Sequence, residues 1–515
     1  MEIPNSIKTR TLIMPKNYFN YVIIAATFII VIILLSRNLD SPNLWFDESG
    51  QFWMAKGLNH FSPPLQAEGN IKDVIHQNAA YNLDPGGFTI ILHFWTKIAN
   101  AHIWLRLLPF LFFILTMMVF SLITFKWTNN LTISLFMSFV AALSPLLIHY
   151  AFEVRPYSME YLGTVLTVYF VERFKVKINN RGLMLFGCLM AIFMTSRYAV
   201  NIPILISVLI ILFLVIKNSR DTKQFIVSAF SFGFPLLVSS ILIYTLTFRY
   251  QIPNVKPPVY VLSYMLKYKN ITAFPDFPAF IIFNIPFIFF VGLYLYCKRY
   301  NRNIANKFDL FFLIIIANNL AFIILSFLGI NPWHAGIRWC ITLNVLSFLC
   351  VAAIGCIFYL QLSNKLNQYL LNRILTWTTI ISCITTIVLL STVPVLRYKQ
   401  NDATYDFLSK VNLGEYKYIY VNGSGSSTLR YLFEYGALKS SYNKKFYPDK
   451  FDLSQAILGT NEHVIKNLNE INPNKYDLII LSQHQELDGS ANKNWTKLDE
   501  KGLIWSLNKS NIVSH

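Results

Sequence analysis

Long apolar runs separated by short polar segments repeat along most of this 515-residue chain. A helix needs about 20 apolar residues to cross roughly 30 Å of hydrocarbon, so each run of that length predicts one membrane span. The predicted spans are residues 18–36, 104–124, 131–150, 157–172, 183–197, 199–216, 225–247, 279–297, 309–329, 337–360 and 374–396. The pattern therefore predicts a mostly α-helical, polytopic membrane protein with about eleven transmembrane helices.

The apolar stretch 183–216 fits either one long span or a tight hairpin that is broken near Arg197 and Pro203. Basic segments lie on both sides of it, at 173–182 and 217–224. Basic loops of a polytopic protein mark the cytoplasmic side, so the chain must cross the membrane an even number of times between them. We therefore expect the hairpin.

Lysine and arginine also concentrate at the N-terminus and in segments 298–308 and 361–373. The positive-inside rule assigns all of these segments to the cytoplasm. Alternation of the spans then places the first long loop, 37–103, and the C-terminal tail on the exoplasmic side. The chain thus divides into a transmembrane domain, residues 1–396, and an exoplasmic domain, residues 397–515.

Two segments outside the predicted spans have patterns of their own. The stretch "GGFTIILHFWTKIA" (86–99) is amphipathic and too short to span comfortably, which predicts a helix lying in the membrane interface. In the tail, "YKYIYVNGSGSSTLRYLFEYG" predicts a strand, a Gly/Ser turn and a helix, while "KYDLIILSQ" and "GLIWSLN" predict further strands. We expect a small exoplasmic α/β domain there.

Composition agrees with a membrane protein, because 54% of the residues are hydrophobic and only 14% are charged. The net charge of +18 is spread through the segments between spans and forms no long basic tract. Such charge reports topology. The expected surroundings are membrane lipids, and no nucleic-acid partner is expected.

Ionisable residues gather at the predicted outer ends of the spans. They are Asp47, Glu48, Asp84, Glu153, Arg155, Arg197, His334 and Arg338. Ionisable groups near hydrocarbon are costly, and they tend to face a cavity or a partner. A carboxylate can take the proton of an acceptor hydroxyl, and guanidinium groups can hold a phosphate and stabilise the charge that grows on it. The set predicts a transfer reaction on a lipid-bound phosphate.

Each of these residues also has a structural alternative. Asp47 can cap a helix start, Asp84 before a proline can open a turn, and Arg155 can extend to the headgroups from an apolar stem. On a helix the side chains of Asp47 and Glu48 diverge by about 100°. One would therefore act, while the other would orient, cap or form an ion pair. No ligand spacing enforces a metal site, so a divalent metal stays an open possibility.

Four motifs together resemble the GT-C superfamily of polyprenyl-phosphate-dependent glycosyltransferases. They are "LWFDES" (44–49), "DPGGFTIILHFW" (84–95), "WLRLLPFLF" (104–112) and "EVRPYSMEYL" (153–162). The branch they resemble includes bacterial protein mannosyltransferases and the aminoarabinose transferases of lipid A. The resemblance covers roughly residues 15–200 in motif and the remainder in layout. Members often carry a lysine beside the acid that corresponds to Asp84, and this chain does not.

The resemblance implies an inverting glycosyltransferase of the bacterial inner membrane, with its N-terminus in the cytoplasm. It would move a sugar from a polyprenyl-phosphate donor to a glycan, lipid or protein acceptor of the cell envelope. Asp47 would be the general base, Glu48 its orienter or an acceptor contact, and Asp84 a second acid on the acceptor or metal side. Arg155, Arg197 and Arg338 would bind the donor phosphate.

Three other classes of function compete with this interpretation. A transporter or flippase of lipid-linked glycans would need a charged track across the bilayer and repeated halves, and the sequence shows no such repeat. A non-catalytic membrane scaffold would need only the spans and the tail. A hydrolase with two carboxylates is disfavoured, because adjacent Asp47 and Glu48 are poorly placed to flank one bond from opposite faces.

Overall fold

The computed structural model of the chain describes most of the membrane domain and parts of the tail. The described residues are 18–42, 44–59, 66–142, 144–252, 277–327, 341–392, 419–421, 423–435, 478–480, 495–497 and 504–507. Arg338 and His334 lie outside them.

Helices make up nearly all of the described chain. They are α1 (Tyr18–Ser36), α2 (Phe46–Ala55), α3 (Ile71–Tyr81), α4 (Gly87–Thr96), α5 (His102–Thr128), α6 (Leu131–Ala142), α7 (Pro145–Ala151), α8 (Tyr157–Phe174), α9 (Asn180–Phe193), α10 (Asn201–Asn218), α11 (Thr222–Ile243), α12 (Phe277–Tyr300), α13 (Arg302–Phe327), α14 (Ile341–Lys365), α15 (Gln368–Thr392) and α16 (Gly423–Glu434). Short 3-10 turns cover Arg37–Leu39 and Tyr198–Val200, and α11 continues through a π-helical turn, Tyr244–Phe248, to Gln251.

Six helical stretches in the described part of the chain are long and apolar enough to cross a membrane. They are His102–Thr128, Tyr198–Asn218, Thr222–Gln251, Arg302–Leu325, Ile341–Lys365 and Tyr369–Ser391. The prediction of a mostly helical, polytopic membrane protein is confirmed. The number of eleven spans stays a prediction.

The stretch predicted as one span over 131–150 consists of two helices, and its crossing of the membrane stays a prediction. Helix α6 ends at Ala142, and α7 begins at Pro145, where the missing N–H of proline suits the first turn of a helix. Ser144 caps α7, because its hydroxyl accepts a hydrogen bond from the Leu147 N–H at 3.2 Å. The stretch 183–216, by contrast, does form two helices, α9 and α10, as the hairpin interpretation requires.

The N-terminal ends of α5, α8, α10 and α14 meet at one end of the bundle. Arg106 in α5 donates to the Phe152 carbonyl, just before α8, at 2.8 Å. Glu160 in α8 accepts from Arg197, just before α10, at 2.8 Å. It also accepts from Thr342 at the start of α14, at 2.6 Å. This junction, which we call the site end of the bundle, carries the candidate acids and arginines.

Helices α2, α3 and α4 of the first long loop pack on one another, and α4 packs on α5. The sequence starts α3 with a capping box: Asn70 accepts from the Lys72 N–H at 2.8 Å, and Asp73 accepts from the Asn70 N–H at 2.8 Å. Helix α4 falls within the predicted interfacial segment. It buries Phe88 and Leu92 and leaves Phe94 61% exposed, as an amphipathic helix does.

The described parts of the tail are helix α16 and a small sheet. The strands β1 (Ile419–Val421), β2 (Leu478–Ile480), β3 (Trp495–Lys497) and β4 (Ile504–Leu507) stand in the order β1-β2-β4-β3. β1 and β2 are parallel, and the other two pairings are antiparallel. The predicted α/β domain over 397–515 stays a prediction, because most of that segment lies outside the described residues.

Candidate functional site

Glu48 lies inside the protein and pairs with Arg106. Its carboxylate accepts from the two terminal nitrogens of Arg106 at 2.6 and 3.0 Å, and neither side chain is exposed. It also accepts from the Val154 N–H at 2.8 Å and from the Trp45 N–H at 3.1 Å. Four donors therefore satisfy this carboxylate, and they fix the start of α2 against α5 and the turn before α8.

Asp47 precedes Glu48 in the first turn of α2 and is partly exposed, whereas Glu48 is fully buried. Its negative charge acts on Glu153 and on Arg155, the two ionisable residues of the turn before α8. Asp47 is thus a candidate acid that is partly exposed and close enough to Arg155 for its charge to act on that guanidinium.

Asp84 joins two arginines that are far apart in the sequence. Its Oδ1 lies 3.3 Å from Arg197 Nε, and its Oδ2 lies 3.5 Å from Arg155 Nη2. Arg197 is 5% exposed and Arg155 is 14% exposed at the side chain. The structure therefore brings together three of the residues that the sequence selected.

Each arginine has further contacts. Arg197 donates to Glu160 at 2.8 Å, and its guanidinium carbon lies 4.8 Å from the centre of the Tyr157 ring. Arg155 lies 5.9 Å from the same ring and donates to Gln51 Oε1 at 3.2 Å. A cation over an aromatic ring is stabilised by the ring's electron density. Arg155 Nε is buried, and among the described residues it has no hydrogen-bond partner.

A network of amides supports the cluster from the side of the first loop. Gln51 donates to Thr89 at 2.6 Å, and Thr89 in turn donates to Asn78 Oδ1 at 2.7 Å. Asn82 also donates to Asn78 Oδ1, at 3.0 Å. Because these groups are buried and bonded to one another, they hold α2, α3 and α4 in one register.

The main chain of Asp84 is held separately from its side chain. Its carbonyl accepts from Asn78 Nδ2 and from Gln251 Nε2, both at 3.0 Å. Gln251 is itself oriented by Tyr198, whose hydroxyl donates to Gln251 Oε1 at 2.7 Å. The end of the π-helical extension of α11 therefore reaches the Asp84 turn.

Glycine is required at both positions after Pro85, at Gly86 by its backbone angle and at Gly87 by the close approach of Thr195. Gly86 has a φ of +97°, which side chains rarely adopt. The Gly87 N–H donates to the Thr195 carbonyl at 2.8 Å, and a Cβ at Gly87 would lie 1.8 Å from Thr195 Oγ1. Helix α4 thus starts in direct contact with the turn that carries Arg197.

Burial raises the pKa of two acids near Asp47. It raises the pKa of Glu48 above its ordinary value, although Arg106 opposes the shift. Burial, and then the negative charge of Glu48, raise the pKa of Glu153 well above its ordinary value. The Trp45 indole donates to Glu153 at 3.1 Å. Glu153 therefore holds its proton more tightly than an exposed glutamic acid does.

The sequence did not identify Arg106, Gln51 and Thr342 as parts of this site. A signal for Arg106 was present, because an arginine in the apolar run "WLRLLPFLF" needs a buried partner.

In the described part of the chain, no group of three or more His, Cys, Asp or Glu side chains is placed to hold a metal ion.

No known protein-family model matches the chain, and no curated protein matches it. Among solved structures, the chain is similar to the arabinosyltransferase EmbB from Mycobacterium smegmatis. The TM-score is 0.38 and the sequence identity is 14%, over 81% of this chain and 45% of that one. The present chain thus spans less than half of EmbB.

Proposed function

We propose that this protein is an inverting glycosyltransferase that moves a sugar from a polyprenyl-phosphate donor to an acceptor hydroxyl at the outer face of the membrane. The observation that carries the proposal is the convergence of Arg155 and Arg197 on one buried position, beside the partly exposed Asp47. Two guanidinium groups facing one position suit a phosphate. The Nε of Arg155, which is buried and has no hydrogen-bond partner among the described residues, would provide one more donor for it.

The distribution of basic residues supports an outer position for this site. At the opposite end of the bundle, Lys175 donates to the Asn306 carbonyl, and Lys307 donates to the Trp127 carbonyl at 3.2 Å. The basic segments 173–182, 217–224 and 298–308 lie at helix ends on that side. By the positive-inside rule that end faces the cytoplasm, and the site end faces outward. In a bacterium this membrane would be the inner membrane.

The proposed reaction assigns one role to each charged group. Asp47 takes the proton of the acceptor hydroxyl as its oxygen attacks the anomeric carbon. The bond from that carbon to the phosphate oxygen breaks, and the lipid phosphate leaves with the electron pair. Arg155 and Arg197 stabilise the charge that grows on the phosphate. Attack from the face opposite the phosphate inverts the configuration of the sugar.

Glu48 has a positioning role in this proposal, because four internal donors already satisfy its carboxylate. It fixes the turn on which Asp47 stands.

Arg338, which lies outside the described residues, is proposed as a third phosphate contact. A divalent metal stays open as a cofactor. The acceptor is a glycan, a glycolipid or a protein of the cell envelope.

The test compares cell-envelope glycans and glycolipids from cells with and without the gene by mass spectrometry. A sugar missing without the gene identifies the donor and the acceptor, and it should return with the wild-type gene. Asp47→Asn should reduce the purified protein's transfer rate by about 100-fold or more. Asp309→Asn, which removes a charge paired with Lys298 at the opposite end, is the matched control. Retained activity in a folded Asp47→Asn protein would remove the assignment.

A further inference from the structure

The Asp84 carboxylate occupies the position between the two guanidinium groups that the proposed function assigns to the donor phosphate. One oxygen faces Arg197 and the other faces Arg155, as two oxygens of a phosphate would. We propose that Asp84 is a placeholder: its carboxylate fills the phosphate position when no lipid phosphate is bound, and the lipid phosphate displaces it. This inference rests on the proposed function and assigns Asp84 a role in substrate exchange.

The contacts of Asp84 are looser than the other ion pairs of the site. Ion pairs of this kind are usually about 2.7–2.9 Å long. Asp84 lies 3.3 Å from Arg197 and 3.5 Å from Arg155, whereas Glu160 lies 2.8 Å from Arg197. The phosphodiester of the donor offers two terminal oxygens, which match the two carboxylate oxygens, and the lipid phosphate that leaves offers three, so both can take over contacts of this length.

Both arginines keep an anchor when Asp84 leaves. Arg197 stays bound to Glu160, whose other oxygen accepts from Thr342. Arg155 stays bound to Gln51 Oε1 at 3.2 Å. The ring of Tyr157 lies under both guanidinium groups. The phosphate position is therefore preorganised without the help of Asp84.

The backbone of Asp84 is also independent of its ion pairs. Asn78 and Gln251 hold its carbonyl oxygen, and the following Pro85 restricts the preceding residue to extended conformations. Exchange of carboxylate for phosphate therefore needs a side-chain rotation and no movement of the turn. After sugar transfer the same carboxylate competes with the lipid phosphate and promotes its release.

The experiment titrates purified, full-length protein with undecaprenyl phosphate and follows tryptophan fluorescence. Asp84→Asn removes the competing charge and retains the shape, so it should bind the lipid about tenfold more tightly, which corresponds to about 1.4 kcal/mol. Without lipid its melting temperature should fall, because the two guanidinium groups lose the anion between them. Added lipid should restore the melting temperature. Asp309→Asn carries the same charge change at the opposite end and should match the wild type.

The outcomes separate this inference from the proposed function. If Asp84→Asn binds the lipid equally or more weakly, while Arg155→Gln and Arg197→Gln lose binding, the placeholder role is overturned and the phosphate site stands. If the two arginine variants bind the lipid as the wild type does, the phosphate site itself is wrong. Asp84→Ser replaces Asp84→Asn if the latter does not fold, and the same expectations apply.

Discussion

Glu48 and Arg106 form a two-point salt bridge that is closed to solvent on every side, with nitrogen–oxygen distances of 2.6 and 3.0 Å. The two residues are 58 positions apart and join α2 to α5. Because Arg106 also donates to the carbonyls of Ser41 and Phe152, its guanidinium is the point at which three segments of the site end meet.

Removal of one partner of this pair should strongly destabilise the protein. Glu48→Gln leaves a buried guanidinium without its counter-charge, and a broken buried pair costs about 3–5 kcal/mol of unfolding free energy. Chemical unfolding in mixed micelles measures this value. The double variant Glu48→Gln/Arg106→Gln should lose less than the sum of the two single variants. Additive losses would show that the pair is not a unit.

Glu160 should act on phosphate binding through Arg197. Glu160→Gln weakens the anchor of that guanidinium, so affinity for undecaprenyl phosphate should fall by about tenfold, as measured in the same fluorescence titration. Thr342→Val removes only the neutral hydrogen bond to Glu160 and should have a smaller effect. A lower melting temperature with unchanged lipid affinity would leave Glu160 a purely structural role.

Gly87→Ala should prevent the normal docking of α4 on the Arg197 turn. The new methyl group would overlap Thr195, whose Oγ1 lies 1.8 Å from the added carbon position. We expect a loss of about 1–3 kcal/mol of stability, as for other overpacked sites. Thr195→Gly in the same protein removes the obstructing side chain and should recover part of the loss. An unaltered melting temperature for Gly87→Ala alone would contradict the packing.

Glu153 should make stability depend on pH. Its folded-state pKa lies well above the ordinary value of 4.5, first because of burial. The folded state therefore binds the proton more tightly, and this stabilisation is complete below about pH 4.5 and lost as the pH rises through the folded-state pKa. Glu153→Gln keeps an acceptor for the Trp45 indole and should flatten the decline in melting temperature with rising pH.

Glu68 is the control for Glu153, because its pKa is shifted in the opposite direction. Burial would raise the pKa of Glu68, but Lys56 and Lys97, at 2.7 and 2.8 Å, hold it below the ordinary value. Its contribution is therefore present above about pH 4.5 and lost as the pH falls through the lowered pKa. Glu68→Gln should lower the melting temperature mainly at neutral pH. If Glu153→Gln and Glu68→Gln give the same trend, the assignment for Glu153 is incorrect.

The sequence predicted the parts of the molecule that depend on composition along the chain. Apolar runs predicted the helices. Basic residues predicted which helix ends lie on the same side of the bundle. The break between α6 and α7 was missed, because the residues around Ser144 and Pro145 are as apolar as the rest of the run. Hydropathy alone does not register a capping serine followed by proline.

The sequence predicted which residues belong to the site, but it did not predict which of them contact one another. Asp84, Arg155 and Arg197 stood out because each is an ionisable group near hydrocarbon. That Asp84 lies between both arginines, while Glu48 pairs with Arg106, depends on contacts between segments 58 to 113 residues apart. No local pattern in the sequence encodes such partners.

Helix α16, which is made late in synthesis, packs on α2, which is made early. The Ser427 hydroxyl bonds to that of Ser49 at 2.6 Å, across 378 positions of chain, and the Ser427 carbonyl accepts from the Trp53 indole at 3.0 Å, across 374 positions. Arg430 stacks on Trp53, with 3.7 Å from guanidinium carbon to ring centre. Contacts of such long range form late in folding. The newly made protein would thus complete the packing around α2, which carries Asp47, only after α16, in the last fifth of the chain, has been made.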